Sequence, residues 1–417
     1  MMKNKLTTDK HIVAMRITMI ILVFSPLLAM SQTYDKNDWK LISTHNGKLE
    51  IPNPGGKQTS CMVLDVDQDC LKEIFISERS QAPSVVMYKS KGKIWQKYLV
   101  DSIALNIEAG GASYDIDSDG DMDIAFGGDG RSDQIWWWEN PYPDFDPGTP
   151  WRRHLIKNDG DRKHHDMIFG DFDNDGTSEL AFWNQKGRKL CLAEIPDDPL
   201  SGALWEYRAI YVYSNDGQME QIGQDNYPPF KSINEHEGID SADIDGDGIL
   251  DIVGGGLWFK FSGNGTYQQN LIDPSYTFTR TATGQLIEGG RPEVILVVGD
   301  GIAPMMLYEW RNGTWYGKSI IDEVEYGHSL SIIDFNGDGF LDIFNAEMRL
   351  NGQNPDAEIR ILLGDGKGNF EKKIVAAGFG NHESKVADLD GDGDFDIVGK
   401  PYNWETPRLD IWINKAK

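Results

Sequence analysis

One acidic pattern recurs along this chain and limits its fold more than any other feature. It reads Asp-x-Asp-x-Asp-Gly-x-x-Asp, followed by a short apolar run. Intact copies stand at Asp115, Asp117, Asp119 and Asp123, at Asp171, Asp173, Asp175 and Glu179, and at Asp243, Asp245, Asp247 and Asp251. Two more are Asp334, Asn336, Asp338 and Asp342, and Asp388, Asp390, Asp392 and Asp396. A weaker copy is Asp65, Asp67, Asp69 and Glu73, with Cys70 where Gly is usual. A seventh, Gly284 to Glu293, keeps the frame but has Gln285, Ile287 and Gly289 in place of the first three carboxylates. Successive copies are 42 to 72 residues apart. Self-similarity at that spacing is the mark of a repeat architecture.

A second, independent series gives the same count. An aromatic residue introduces a β-like run at Trp39, Trp95, Trp151, Trp205, Tyr267, Trp315 and Phe370. Gly-bearing turns precede several of these, as at Asn312-Gly313 and Gly366-Lys367-Gly368, and such turns signal hairpins. Each unit then reads as four strands. Strand A enters the acidic loop, B leaves it, C follows (Ile135 to Trp138, Leu409 to Trp412), and D carries the aromatic. Four strands per unit of roughly 50 residues is the spacing of propeller blades. The expected fold is all-β, a seven-bladed β-propeller with four-stranded blades. The chain opens on a D strand near Trp39 and ends on a C strand near Trp412. An N-terminal D strand completing the last blade would close the ring and remove a free edge.

The loops and their spacing resemble the FG-GAP or VCBS repeats of calcium-loop propellers, a family that includes integrin α-subunit heads. The resemblance covers nearly all of residues 32–417. Alternating carboxylates at positions 1, 3 and 5, an acid at 9 and Gly at 6 present hard oxygen ligands around a sharp turn, which suits Ca²⁺. Up to six structural Ca²⁺ sites are expected, with metal binding coupled to folding because like charges crowd each loop.

The net charge of −26 fits this account. The six loops hold 23 of the 66 acidic residues at ligand positions. The balance excludes nucleic acid as a partner, since phosphate binding needs clustered Lys and Arg. At the N-terminus, Lys3, Lys5, Lys10 and Arg16 precede an apolar run, Ile17 to Met30, of signal-peptide length. Residues 1–31 are expected to be a signal peptide cleaved near Ala29-Met30-Ser31. Residues 32–417 would then be one propeller domain, exported to the periplasm or medium, with no membrane span in the mature protein. The three cysteines, Cys61, Cys70 and Cys191, leave open a local Cys61–Cys70 pair or three buried thiols.

Aligning the copies on the first loop position exposes a second pattern. Six residues upstream stand Thr59, Ala109, His165, Glu237, Thr279, His328 and His382. Seven upstream stand Gln58, Glu108, His164, His236, Phe278, Gly327 and Asn381, and five upstream are Asp166, Arg280 and Glu383 among others. Five of the eight histidines fall in the first two rows. Strand A is innermost in a blade, and its start lies on the face opposite the acidic loops. His165, Glu237, His328 and His382 should therefore meet at one mouth of the central channel, with His164, His236 and Arg280 nearby. Such a cluster would either hold Zn²⁺ or a similar divalent ion, or act as general acid and base.

Chain leaving strand B returns to that face and adds Trp183, Asn184, Trp258, Glu347, Arg349, Lys400, Tyr402 and Asn403 as candidates. Aromatic faces beside amide and charged groups suit a saccharide. The long connection from Tyr213 to Asn234 enters the same face as either a lid or a plain insertion. The axial histidines resemble those of propeller enzymes such as aldos-2-ulose dehydratases and ulvan-type polysaccharide lyases, though the cupin domains of the former are missing. That resemblance implies a carbon–oxygen lyase or dehydratase working by β-elimination on a saccharide. His164, His165, His328 or His382 would be the base, and Arg280, Lys400 or a bound metal would neutralise the enolate. The alternatives are a non-catalytic glycan-binding or adhesion propeller and hydrolysis by paired Glu237 and Glu383.

Overall fold

The structure is a computed structural model that describes residues 33–92, 94–213 and 235–415. Their strands form seven antiparallel sheets, each in the sequential order A-B-C-D. Blade one is Gln58–Leu64, Glu73–Glu78, Val85–Lys91 and Ile94–Asp101. Blade two is Ala112–Tyr114, Asp123–Gly127, Gln134–Glu139 and Arg152–Asn158, and blade three is His164–Gly170, Glu179–Asn184, Lys189–Glu194 and Tyr207–Val212. Blade four is Asp240–Ala242, Asp251–Gly254, Leu257–Phe261 and Tyr267–Leu271. Blade five is Thr279–Gly284, Glu293–Val298, Ile302–Arg311 and Thr314–Glu325. Blade six is Ser329–Ile333, Asp342–Ala346, Glu358–Gly364 and Phe370–Ala377. In blade seven, Lys385–Ala387, Asp396–Gly399 and Asp410–Asn414 are completed by Trp39–Ser43 from the start of the chain. The closure expected from the two chain ends is thus the one observed. An unexpected fifth strand, Thr33–Tyr34, pairs with the outer edge of blade six.

Period-two alternation explains why the sheets stack. Along Gln134–Glu139, Trp136 and Trp138 pack towards blade one while Trp137 packs towards blade three. Every blade does this on both faces, so the core is divided among seven interfaces. The last of them joins Ile397's neighbour Val398 and Ile411 of blade seven to Ile74, Ile76 and Tyr88 of blade one. Large aromatics supply much of this burial, and Trp137, Trp138, Trp183 and Trp412 are fully buried.

The acidic loops share one hydrogen-bond scheme. The first Asp accepts the backbone N–H of position 6, as in Gly176 to Asp171 at 3.0 Å and Gly393 to Asp388 at 3.1 Å. The ninth-position acid accepts the N–H of position 2, as in Phe172 to Glu179 and Leu389 to Asp396, both 2.9 Å. Position 6 takes a left-handed φ, 91° at Gly176 and 70° at Cys70, which is why Gly dominates there. Cys70 is exposed on this turn while Cys61 is buried in strand A, so the two form no disulfide; all three cysteines are free thiols. Among the described residues no helix is long and apolar enough to cross a membrane. The leader at 1–31 and residues 214–234 of the connection considered as a lid lie outside the described residues.

Candidate functional site: the channel mouth

Opposite the acidic loops, a pocket of about 120 Å³ draws its lining from all seven blades or the chain entering them. His165, Glu237, His328 and His382 all line it, as the upstream row implies. His165 Nε2 lies 3.3 Å from Glu237 Oε2, and His328 Nε2 lies 3.9 Å from Glu237 Oε1. The rings of His328 and His382 stack with centroids 4.2 Å apart. Donor atoms of His165, Glu237 and His328 lie within 4.8 Å of one another, close enough to share a metal ion.

Behind these three lies a ring of charge. His165 Nδ1 meets Asp166 Oδ2 at 2.8 Å, and His328 Nδ1 faces Glu383 Oε1 at 3.6 Å. Arg280 joins the two carboxylates, reaching Asp166 Oδ1 at 2.8 Å and Glu383 Oε1 at 3.1 Å. The backbone is bent to allow this. Asp166 and Glu383 adopt positive φ values of 43° and 57°, which non-glycine residues hold only where the surroundings enforce it. In blade three the strain accompanies a bulge between His165 and Met167, so consecutive residues serve one cluster instead of pointing to opposite faces.

Electrostatics follow from this packing. Burial drives Asp166 upward, but Arg280 and His165 overcome it and hold the carboxyl well below its usual range. Glu383 is lowered against burial by Arg280 and Lys385. Burial lowers His165, yet Asp166 and Glu237 outweigh it and raise its affinity for protons. Glu237 is raised, burial prevailing over His165 and His328. Against three buried carboxylates, Asp166, Glu237 and Glu383, stand Arg280, paired with the first and last, and Lys385 at the edge, 3.4 Å from Glu383. The balance calls for at least one further positive charge, either a proton on an imidazole or on Glu237 itself, or a cation.

On the far side of the pocket, Lys400 Nζ lies 2.9 Å from the carbonyls of Gln58 and Thr59 and 3.1 Å from His382 Nδ1. Burial pushes Lys400 down to about 7. Burial, with the charges of His328 and Lys400, also holds His382 well below the usual imidazole range. Tyr402 stacks on His382 at 4.9 Å, and its hydroxyl accepts a 2.8 Å hydrogen bond from Arg79.

Other sequence-nominated residues lie elsewhere. His164 is fully buried against Phe182, because it alternates away from His165 into the interface with blade two. His236 packs on Tyr211 and Tyr213 between blades three and four. Burial pushes each of these two down to about 3. Trp183 and Trp258 are interface core, and Asn184 binds the Asp161 carbonyl and the Gly187 N–H of a turn. Glu347 pairs with buried Arg360. Arg349 contacts the Gly378 carbonyl and lies over half-exposed Trp404, while Asn403 bonds Asn351 at the rim. Residues the sequence reasoning passed over include Arg79 and Asp300. Both follow strand B, the same place that nominated Lys400 and Arg349, so the signal was there in blades one and five.

The acidic loops are the second place a cation could sit. Asp65 Oδ1, Asp67 Oδ1, Asp115 Oδ1, Asp117 Oδ1, Asp173 Oδ1, Glu179 Oε1 and Asp245 Oδ1 are buried without hydrogen-bond partners. Burial raises Asp123 and Glu179 to about 8 and Asp396 to about 7. Unpartnered, desolvated carboxylate oxygens converging in one turn fit a hard divalent ion.

Comparison with known proteins agrees with this architecture. Residues 115–182 match the FG-GAP-like repeat family. The match spans one acidic loop, the whole of the second and the strands between them. No curated protein matches this chain in sequence. Among solved structures, BBS1N, crystallised in complex with ARL6DN and soaked with mercury, is similar at 10% identity and a TM-score of 0.50, covering 88% of this chain and 95% of that one. AofleA from Arthrobotrys oligospora aligns at 12% identity and a TM-score of 0.43, over 82% of this chain and 91% of its own. At such identities the first likeness is one of fold alone, and the second carries no argument.

Proposed function

We propose that this is an exported, calcium-stabilised propeller whose channel mouth is the active site of a carbon–oxygen lyase or dehydratase acting on an acidic saccharide. The observation that carries the reading is the triad of His165, Glu237 and His328, whose donor atoms lie within 4.8 Å of one another. Each imidazole has a carboxylate behind its other nitrogen. That carboxylate–histidine arrangement orients metal ligands and makes them more basic. Two histidines and one carboxylate leave coordination positions open, as catalytic divalent sites do. Such an ion would stabilise the enolate that forms when an α-proton is removed.

The chain's own residues supply the proton transfers. Neutral Lys400 has two N–H groups for the carbonyls of Gln58 and Thr59, and a lone pair for His382 Nδ1–H. His382 Nε2 is then free to take the α-proton. The electron pair forms the carbon–carbon double bond, the β carbon–oxygen bond breaks, and the leaving oxygen takes the proton of Tyr402. Asp166, Glu383 and Arg280 position the two imidazoles. The pocket's roughly 120 Å³ falls short of the ~300–1,000 Å³ that encloses a whole ligand. It suits the reacting carbons and their carboxylate, with neighbouring sugars resting on rim groups such as Trp404.

Exposed Trp404 beside Arg349 also supports glycan binding without turnover. Incubation with uronate-containing polysaccharides, followed by the ultraviolet absorbance of unsaturated ends, separates the two readings. Rising absorbance supports the lyase. Retention of the polysaccharide with no new absorbance leaves the binding module.

A further inference from the structure

The seven loop frames differ at one position that the acidic motif itself does not contain. Strand C passes beside strand B, and one residue of C lies opposite the ninth-position acid. In blade three the pair is Glu179 and Glu194. One step beyond the Ile74–Tyr88 pair of blade one it is Glu73 and Lys89, and one step beyond Ile252–Phe259 of blade four it is Asp251 and Lys260. The same register gives Glu139 in blade two, Leu363 in blade six and Ile413 in blade seven.

Both lysines turn into their loops. Lys89 Nζ lies 2.5 Å from Asp67, 2.8 Å from Asp69 and 3.0 Å from Glu73. Lys260 Nζ lies 2.5 Å from Asp245 and 2.6 Å from Asp247. Three of the carboxylates that would ligate a metal in blade one are thus gathered around one ammonium. In blade three the equivalent of Glu73 is Glu179, fully buried, and its Oε1 has no partner. Its cross-strand neighbour Glu194 carries the wrong charge to fill the loop, and Arg208, which engages Glu194, comes only to 3.7 Å from one loop carboxylate, Asp173, at the loop's edge. Blade five goes further. Gln285 Nε2 donates to the Ile287 carbonyl at 2.5 Å and the Gly289 carbonyl at 3.0 Å, so an amide ties together a loop that has lost its acids.

We propose that Lys89 and Lys260 are built-in counter-ions that take the place of a divalent cation in blades one and four, so that only the loops of blades two, three, six and seven bind Ca²⁺. The proposal rests on the reading of the acidic loops as calcium sites, and it lowers the stoichiometry from six to four. An ammonium on a tethered side chain is present at an effectively fixed local concentration, and a free ion must displace it. The loops of blades one, four and five would therefore keep their shape in a chelator, while the other four would not.

The test is Ca²⁺ content of the full-length chain, stripped with EDTA and dialysed against micromolar Ca²⁺, measured by elemental mass spectrometry. The expected value is four per chain for the wild type, five for Lys89→Met or Lys260→Met, and six for the double variant. A second pair guards against misfolding of those variants. Asp117→Asn should lower the count from four to three, and Asp67→Asn should leave it at four. Six ions in the wild type, or a loss on Asp67→Asn, overturns the proposal while sparing the calcium reading. No bound Ca²⁺ in any protein overturns both.

Discussion

His165 is held at both ring nitrogens, by Asp166 at 2.8 Å on one side and by Glu237 at 3.3 Å on the other. The first carboxylate is fixed by Arg280 and the second faces the pocket. On the proposed mechanism this divides the cluster into groups that position and groups that react.

Arg280 is the pivot of the positioning half. Replacing it with Met leaves Asp166 and Glu383 buried without their shared guanidinium. Breaking a buried pair in this way costs about 3–5 kcal/mol. Urea denaturation should show a loss of that order. A loss under about 1 kcal/mol would mean that the two carboxylates find other partners or become protonated at little cost.

On the proposed mechanism Lys400 sets the acid limb of activity. Below about 7 it gains a proton, donates to His382 Nδ1 and forces the ring's hydrogen onto Nε2, where the base must be free. Turnover should fall as pH drops through about 7 and recover on return. In Lys400→Met that limb should move, with kcat reduced more than KM is raised. An unchanged limb in the variant would remove Lys400 from the mechanism.

His164 and His236 make stability depend on pH. Their folded values, about 3, lie below the unfolded value of about 6.5. The unfolded chain therefore binds more protons in this window, and stability present above about 6.5 is lost as pH falls towards about 3. Each contributes at most about 1.4 kcal/mol per pH unit. Urea melts at pH 7 and pH 5 should differ, and His164→Gln should lessen the difference. Equal dependence in wild type and variant would show that His164 is not desolvated.

Two tryptophans that look alike in the sequence should behave in opposite ways. Trp183→Ala removes a fully buried ring from the interface of blades three and four and should cost about 3–5 kcal/mol. Trp404 is 41% exposed, and Trp404→Ala should change stability by less than about 0.5 kcal/mol while weakening saccharide binding. Thermal melts and affinity electrophoresis on polysaccharide gels check both halves. A stable Trp183→Ala would contradict the interface assignment.

Much of this was legible before any coordinates. The acidic frame repeats because each blade must turn the same corner, so it gives blade number and strand order. It also places His165, Glu237, His328 and His382 on one rim, although they are spread over more than 200 residues of the chain. What the frame could not supply was side-chain direction. His164 and His165 are adjacent in the chain and fall in neighbouring rows, and alternation sends one to the core and the other to the channel. The bulge that turns Asp166 back to His165 has no motif of its own. Trp183 stands at the end of strand B in blade three and Tyr402 just after it in blade seven, and only packing tells the core ring from the pocket ring. Lys89 and Lys260 sit outside the loop motif, and their meaning appears only in cross-strand register.

Whether the channel mouth does chemistry is decided by the rate of unsaturated product formation from an acidic polysaccharide by wild type and by His328→Ala, at equal amounts of folded protein. The expected result is measurable turnover by the wild type and a loss of at least about 100-fold in the variant, with little change in melting temperature. An active His328→Ala, or a wild type that forms no product from any uronate polymer, would contradict it.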